Sequence, residues 1–505
     1  MNPFSVLFLK PEAWSPKPIS SHVLRSCSAI VLLLAAASAA AGAGVSLVDA
    51  VKRGDSAAVR SLLQKHVDVN EAEPDGTAAL HWAVHNESVE IADLLIRGGA
   101  RVKAANRYGA TPLWLAAVSG NAAMIEVLLT AGADASAANP HGETPLLAAA
   151  RSGKADAVRV LLDRGANVNA KESWRGQTAL MWAAAEGHVP VVTLLLDRGA
   201  ELHARSNGGF TPLLFAAREG RIGSTEALLR AGANLKDALP LRRPGAVDDA
   251  PPEPNAGLTA LLLAVENAHY ELAALLLDRG AEVNVAPKGW MVLHQISWVR
   301  KTGVAGSNNP APHGSGNLDA LEFVRKLVAH GANLNARVTK RPSMGITNIN
   351  AIGATPFILA ARTADADLMR LLITLGADPK LTNDDGTTAL MVAAGVGTSS
   401  PGEDPGTEPE VLEAVKAALE SGLDINAVDK NGETAMHGAA YKHVPSVVRF
   451  LASRASVDVW NRPNKKGWTP LKIADGIQRG MNIVSSPVTA AAIREVLTQE
   501  IGAGR

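Results

Sequence analysis

The 505-residue chain contains one cysteine, Cys27, close to the N-terminus. Beyond that position no disulfide can form and no thiolate can serve as nucleophile or metal ligand. Aromatic residues are scarce, at 4%, so the apolar content must be carried by Ala, Leu and Val. Acid and base are in balance, with 49 Lys and Arg against 49 Asp and Glu. That balance gives no overall field to attract nucleic acid or an anionic membrane. The sequence has no Gly-x-x-x-x-Gly-Lys-Ser/Thr phosphate loop, no Gly-x-Ser-x-Gly elbow and no His-Glu-x-x-His helix, which excludes the chemistries those motifs carry. The most apolar run, residues 29–37, is shorter than the roughly 20 residues a membrane helix needs.

What the chain does have is repetition. Thr111-Pro112-Leu113 returns as Thr144-Pro145-Leu146, Thr211-Pro212-Leu213, Thr355-Pro356-Phe357 and Thr469-Pro470-Leu471. Thr178-Ala179-Leu180, Thr259-Ala260-Leu261, Thr388-Ala389-Leu390 and Thr434-Ala435-Met436 are variants. Leu80, Leu113 and Leu146 succeed one another at intervals of 33 residues, and Leu180 follows Leu146 by 34. Thr is a helix N-cap, and Pro in the next position has φ already set and no N–H to leave unpaired. A His in the third helical position, as at His81, His294 and His437, reaches back to the cap as in a capping box. A second apolar stripe follows, for example Val158, Leu161 and Leu162, and ends at Gly-Ala, as at Gly132-Ala133 and Gly165-Ala166. Gly there suits a left-handed C-cap. The unit is thus helix, turn, helix and an extended finger, and it must stack on its neighbours to bury both faces.

On the period and these motifs the chain resembles the ankyrin repeat family from about residue 45 onward. The resemblance implies an all-α solenoid of eleven to twelve helix-turn-helix units with several loop insertions. Residues 44–235 read as an N-terminal cap and regular repeats. Residues 236–255, with five prolines, read as an extended insertion. Residues 256–505 read as further repeats with insertions at 301–317, 338–352 and 395–409, and a C-terminal cap whose second helix begins near Ser486-Pro487.

Residues 1–43 read as a secretory signal peptide. Lys10, Lys17 and Arg25 precede the apolar run, and Ala39-Ala40-Ala41 or Ala41-Gly42-Ala43 supplies a small-residue cleavage site. This predicts a periplasmic or secreted protein, with an uncleaved N-terminal anchor as the other reading. The Ala/Gly/Arg-rich composition fits a bacterial source.

The resemblance also implies that first helices and finger tips line a concave surface. One position after the His slot stand Trp82, Leu115, Trp182 and Phe215, an apolar row suited to anchoring a partner. Arg218 and Glu219, with Arg151 and Arg221, would supply a polar rim. Trp174, Trp290 and Trp468 fall in or beside fingers and read as packing between them. The expected function is a monomeric, non-catalytic scaffold for a protein partner, with no cofactor, no metal, no nucleic acid and no membrane contact beyond the export segment. His81 and His85 lie one helical turn apart but lack further ligands. Asp384-Asp385-Gly386 reads as a finger turn rather than a calcium loop. A second reading is a glycan or small-molecule binder using the aromatic row. A third, an enzyme sited in the insertions near His294, His313 and His330, has no catalytic spacing behind it.

Overall fold

The computed structural model describes residues 46–240, 256–301, 312–340, 349–402, 404–479 and 482–502. The expected export segment, 1–43, lies outside the described residues, as do 241–255, 302–311 and 341–348 within the expected insertions. The chain forms two compact units. The first runs to Ala183 and includes Pro190–Glu201; the second comprises Ala184–Val189 and the chain from Leu202.

The first unit opens with the helices Leu47–Lys52 and Ser56–Gln64. The pairs Ala79–His85 with Val89–Arg97, Pro112–Ser119 with Ala122–Thr130 and Pro145–Arg151 with Ala155–Asp163 follow. The next pair, Ala179–Glu186 and Val189–Asp197, falls at the division between units. Each helix begins and ends where its residues dictate. The Thr111 hydroxyl accepts the Trp114 N–H at 3.1 Å, and Pro112 takes the first helical position. The second helix of that pair closes at Gly132, φ 91°, with the Ala133 N–H on the Leu128 carbonyl at 2.9 Å and the Gly132 N–H on the Leu129 carbonyl at 3.0 Å. This is the double bond of a Schellman cap.

Burial follows the stripe. Leu80, Leu113 and Leu146 are each at most 2% exposed, and full burial of such a side chain contributes about 2 kcal/mol. Successive fingers are hydrogen-bonded edge to edge: the Arg107 N–H meets the Asp75 carbonyl at 2.7 Å, and Ser173 meets His141 at 2.9 Å. The stack is therefore tied both through its helices and along its fingers.

The second unit uses the same grammar with interruptions. Its first regular pairs are Pro212–Arg218 with Ile222–Arg230 and Ala260–Glu266 with Tyr270–Asp278. Val292–Arg300 and Ala320–Ala329 are separated by one insertion, and Ala389–Ala394 and Glu408–Glu420 by another. Between them stands the pair Pro356–Arg362 and Ala366–Thr374. The pair Ala435–Lys442 and Pro445–Ala452 and a short helix, Val457–Asn461, come next. The last pair is Pro470–Asp475 and Pro487–Gly502. Between those two helices the strands Ile477–Arg479 and Asn482–Val484 form an antiparallel hairpin with Gln478 opposite Ile483, an addition the repeat pattern does not contain.

Buried charge ties helices of this unit to one another and to one insertion. Arg300 donates to Asp365 at 2.6 Å, and that carboxylate side chain is 1% exposed. Lys442 donates Nζ to the Pro405 carbonyl at 2.7 Å, and burial lowers its amine to about 8. Among the described residues no helix is long and apolar enough to cross a membrane.

Candidate functional site

Three histidines bridge neighbouring repeats. The Met291 N–H donates to His294 Nδ1 at 3.1 Å, and His294 Nε2 donates to the Ala336 carbonyl at 2.9 Å. His437 takes the Thr434 N–H at 3.2 Å and gives its other ring N–H to Trp468 O at 3.1 Å. His81 does the same between Ala78 and Ala110. Each imidazole is thus held as the Nε2–H tautomer, and burial pushes His294 and His437 down to about 4. They are structural bonds, as expected of that slot.

The row expected one residue later is only partly displayed. In the first unit Leu115 is 7% exposed, so it belongs to the core rather than to a surface. Trp82 is half-buried and its indole N–H donates to Glu73 at 2.7 Å. Lys52 sits 4.5 Å from the ring centroid and pairs with the same carboxylate at 2.6 Å. Trp182 is likewise half-buried, with the Arg151 guanidinium 5.4 Å from its ring and Arg151 held by Glu143 at 3.0 Å. A cation from the preceding repeat therefore covers each indole face, a contact of about 0.5–1 kcal/mol at partly exposed sites.

In the second unit Phe215 is 4% exposed, again a correction to the expected row. Its neighbour Phe210, 5.0 Å away, is the half-buried ring, and Arg218 lies over both at 5.0 and 5.1 Å. Arg218 Nε also pairs with Glu219 at 2.7 Å. The helices explain the error: Pro112–Ser119 reads Pro-Leu-Trp-Leu-Ala-Ala-Val-Ser and is apolar on nearly every face. Such a helix is buried all round, so spacing alone cannot separate core from surface.

The fingers carry a clearer pattern. Asn106 Oδ1 accepts the N–H of Tyr108 at 3.1 Å and of Ala110 at 3.0 Å. Asn139 does so for His141 and Glu143, at 2.9 and 3.0 Å. Glu172 accepts from Trp174, Arg175 and Gln177 at 2.6, 2.8 and 3.0 Å. In each, the residue two after the turn-forming side chain stands at the tip. Trp174 is 57% exposed, and the Arg175 guanidinium lies 4.1 Å from its ring. Arg107 stands 5.6 Å from the Tyr108 ring. Sequence reasoning assigned Trp174 to packing. The available signal was the 34-residue step from Leu146 to Leu180, because the extra residue lies in this finger and lengthens its turn.

Two of the three histidines near the insertions have separate partners. His294 is the bridge described above, His330 faces Asp278 at 3.0 Å, and His313 is exposed. Beside His313, Ser315 gives its N–H to His269 Nδ1 at 2.9 Å, and His269 Nε2 donates to the Arg218 carbonyl at 3.0 Å. Both ring nitrogens are engaged, so this Ser–His contact anchors the insertion. Among the described residues no group of three or more His, Cys, Asp or Glu is placed to hold a metal.

Stacked helix pairs, Thr and Gly caps, bridging histidines and edge-bonded fingers define a helical repeat protein. The chain matches the family model "Ankyrin repeats (3 copies)" over residues 47–139, 132–206, 169–238 and 408–482. It matches "Ankyrin repeat" over 256–287 and 352–384. The chain belongs to the ankyrin repeat family, whose repeats are in general protein–protein interaction modules. It is 38% identical over 77 residues to Notch-regulated ankyrin repeat-containing protein A of Danio rerio, covering 14% of this chain and 69% of that protein. It is 32% identical over 137 residues to the B-cell lymphoma 3 protein homolog of Mus musculus, covering 27% of this chain and 24% of that one. The solved human ASB11 ankyrin repeat domain aligns at 29% identity and a TM-score of 0.40, over 47% of this chain and 98% of that one.

Proposed function

We propose that this protein is a non-catalytic, monomeric scaffold that binds a partner protein through its finger tips and first helices, outside the cytoplasm. The observation that carries the reading is the fingertip series Tyr108, His141 and Trp174 in the first unit, each fixed by a side-chain-to-backbone turn. Rigid aromatics at the centre of a surface are the usual anchors of an interface. A stiff finger lowers the ordering cost of binding. Trp82, Trp182 and Arg151 lie on first helices of the same unit, and Phe210, Arg218 and Glu219 offer a ring and a charge pair in the second. The export reading rests on the sequence of residues 1–43 and places the partner in a periplasm or beyond the cell.

The test is affinity capture from an extract of the source cells, with the wild-type chain and a Tyr108→Ser/Trp174→Ser chain of equal helical content as baits. A protein held by the first and released by the second is the expected result. Equal capture by both, or none by either, refutes the fingertip interface. Intact mass of the exported product tests localisation separately: a start near residue 42 or 44 is expected, and Met1 retained in the cytoplasm overturns it.

A further inference from the structure

The second unit contains a cleft of about 880 Å³, within the usual size of ligand sites. Three successive fingers form one wall. Their turns repeat the geometry of the first unit: Asn383, Asp429 and Asn464 each accept the N–H two residues on, at 3.1, 2.8 and 2.9 Å. The tips are therefore Asp385, Asn431 and Lys466, a carboxylate, an amide and an ammonium in a row. Two insertions also reach the cleft: one brings Ser400, and the other forms a further finger beside the first, with the Asn350 carbonyl accepting Asn383 Nδ2 at 2.8 Å. Trp468 supplies a half-buried indole, with Lys466 Nζ 4.9 Å from its ring.

The floor is a hydrogen-bonded cluster. Tyr441 and Asn464 both donate to Glu433 Oε1, at 3.0 and 2.8 Å. Glu433 Oε2 is buried and has no hydrogen-bond partner among the described residues, and burial raises this carboxyl above the ordinary carboxylate range. Asp429 is already spent on the Asn431 and Glu433 N–H groups and the Thr387 hydroxyl, at 2.8, 2.9 and 2.9 Å. At the rim Asn431 Nδ2 reaches Asp385 Oδ2 at 3.5 Å, and this carboxylate and amide stand with Lys465, Lys466 and several hydroxyl groups along the cleft. No single sign of charge dominates.

We propose that this cleft binds a neutral, hydroxyl-rich ligand, a short oligosaccharide. A hydroxyl both donates and accepts, and so do Asn431 and Ser400; Asn350 holds its own turn by accepting the Ile352 N–H at 3.1 Å. The ordered sequence of acceptor, amide and donor along the fingertips matches a row of hydroxyls better than it matches one ion. The indole of Trp468 lines the cleft, and the ring face away from Lys466 provides a flat apolar surface for the C–H face of a sugar. The walls contain residues the regular repeat lacks, so the site belongs to this chain rather than to repeats in general. The proposal does not rest on the protein-binding reading, whose anchors lie on other fingers.

The experiment is calorimetric titration of the full chain with maltotriose, cellotriose and chitotriose, and separately with hexalysine and hexaglutamate. At least one trisaccharide is expected to bind with a Kd between about 10 µM and 1 mM. Asn431→Ala and Trp468→Phe are each expected to weaken it by about tenfold or more, with the unfolding midpoint unchanged. Absence of saccharide heat at about 10 mM ligand, or binding indifferent to both substitutions, overturns the site. Salt-sensitive binding of hexalysine or hexaglutamate alone overturns the ligand class and makes the cleft a peptide site.

Discussion

Acid should loosen the second unit through two buried imidazoles. His294 and His437 are both 0% exposed, and each accepts a backbone N–H at Nδ1 while donating from Nε2. A proton on Nδ1 destroys that acceptor and leaves a charge in the core. Burial therefore lowers each group from 6.5 to about 4. Above pH 6.5 neither the folded nor the unfolded chain takes up the proton, and the bridges contribute fully. Between 6.5 and about 4 the unfolded chain binds it and the folded chain does not. Stability then falls by about 1.4 kcal/mol per pH unit for each histidine. At pH 5 the loss is about 2 kcal/mol each, or about 4 kcal/mol for the pair. Glu266 and Glu433 act in the opposite direction, because burial raises both and their protonation on acidification favours the folded state.

The assay separates these terms by difference. Urea unfolding is followed by far-UV CD at pH 7.5 and 5.0 for the wild type and for a His294→Gln/His437→Gln chain. Gln keeps a donor and an acceptor but does not titrate. The variant is expected to be less stable at pH 7.5, since its amides cannot reproduce the ring geometry. Its acid-induced loss should be smaller than that of the wild type by about 4 kcal/mol. Equal losses in the two chains would refute the assignment of these histidines as buried neutral bridges.

Other outcomes follow from single contacts. Thr355→Ala removes the hydroxyl that caps Ile358 at 3.4 Å, and should cost about 1 kcal/mol in a urea titration of the second unit. Gly132→Ala and Gly142→Ala both place a side chain at positive φ, 91° and 78°, a strain of about 1–2 kcal/mol. Only the second also pushes a Cβ to within 2.6 Å of the Ser173 backbone nitrogen. Gly142→Ala should therefore lower the thermal midpoint clearly more than Gly132→Ala, and equal shifts would contradict the edge-to-edge packing of fingers.

Much of the fold was legible because its signals are local. Thr-Pro, the third-position His and Gly-Ala each act within a few residues of where they stand, and the caps form accordingly. The hairpin Ile477–Arg479 with Asn482–Val484 escaped the repeat reading, because strands of three residues are too short to show an alternating pattern. The aromatic row failed at Leu115 and Phe215 for a different reason. Whether a position on an all-apolar helix is covered depends on both neighbouring repeats, and no residue within the helix records that. The cleft is the extreme case, since Asn350, Ser400, Asn431 and Trp468 come from four separate segments.

The fingers show how one framework can present different chemistry. Asn106, Asn139, Glu172, Asn383, Asp429 and Asn464 all spend their side chains on the turn. That leaves the residue two places on without a role in shaping the backbone beyond its N–H. Tyr108, His141 and Trp174 hold this position in the first unit; Asp385, Asn431 and Lys466 hold it in the second. Stability and recognition are thus carried by different residues of the same turn. Trp174→Ser should then change the unfolding free energy by no more than about 0.5 kcal/mol, the usual range for a surface change, while abolishing partner capture. Glu172→Ala, which strips acceptors from three backbone N–H groups, should lower stability first and capture only as the finger loosens. If Trp174→Ser proved the more destabilising of the two, the division between framework and display would be wrong.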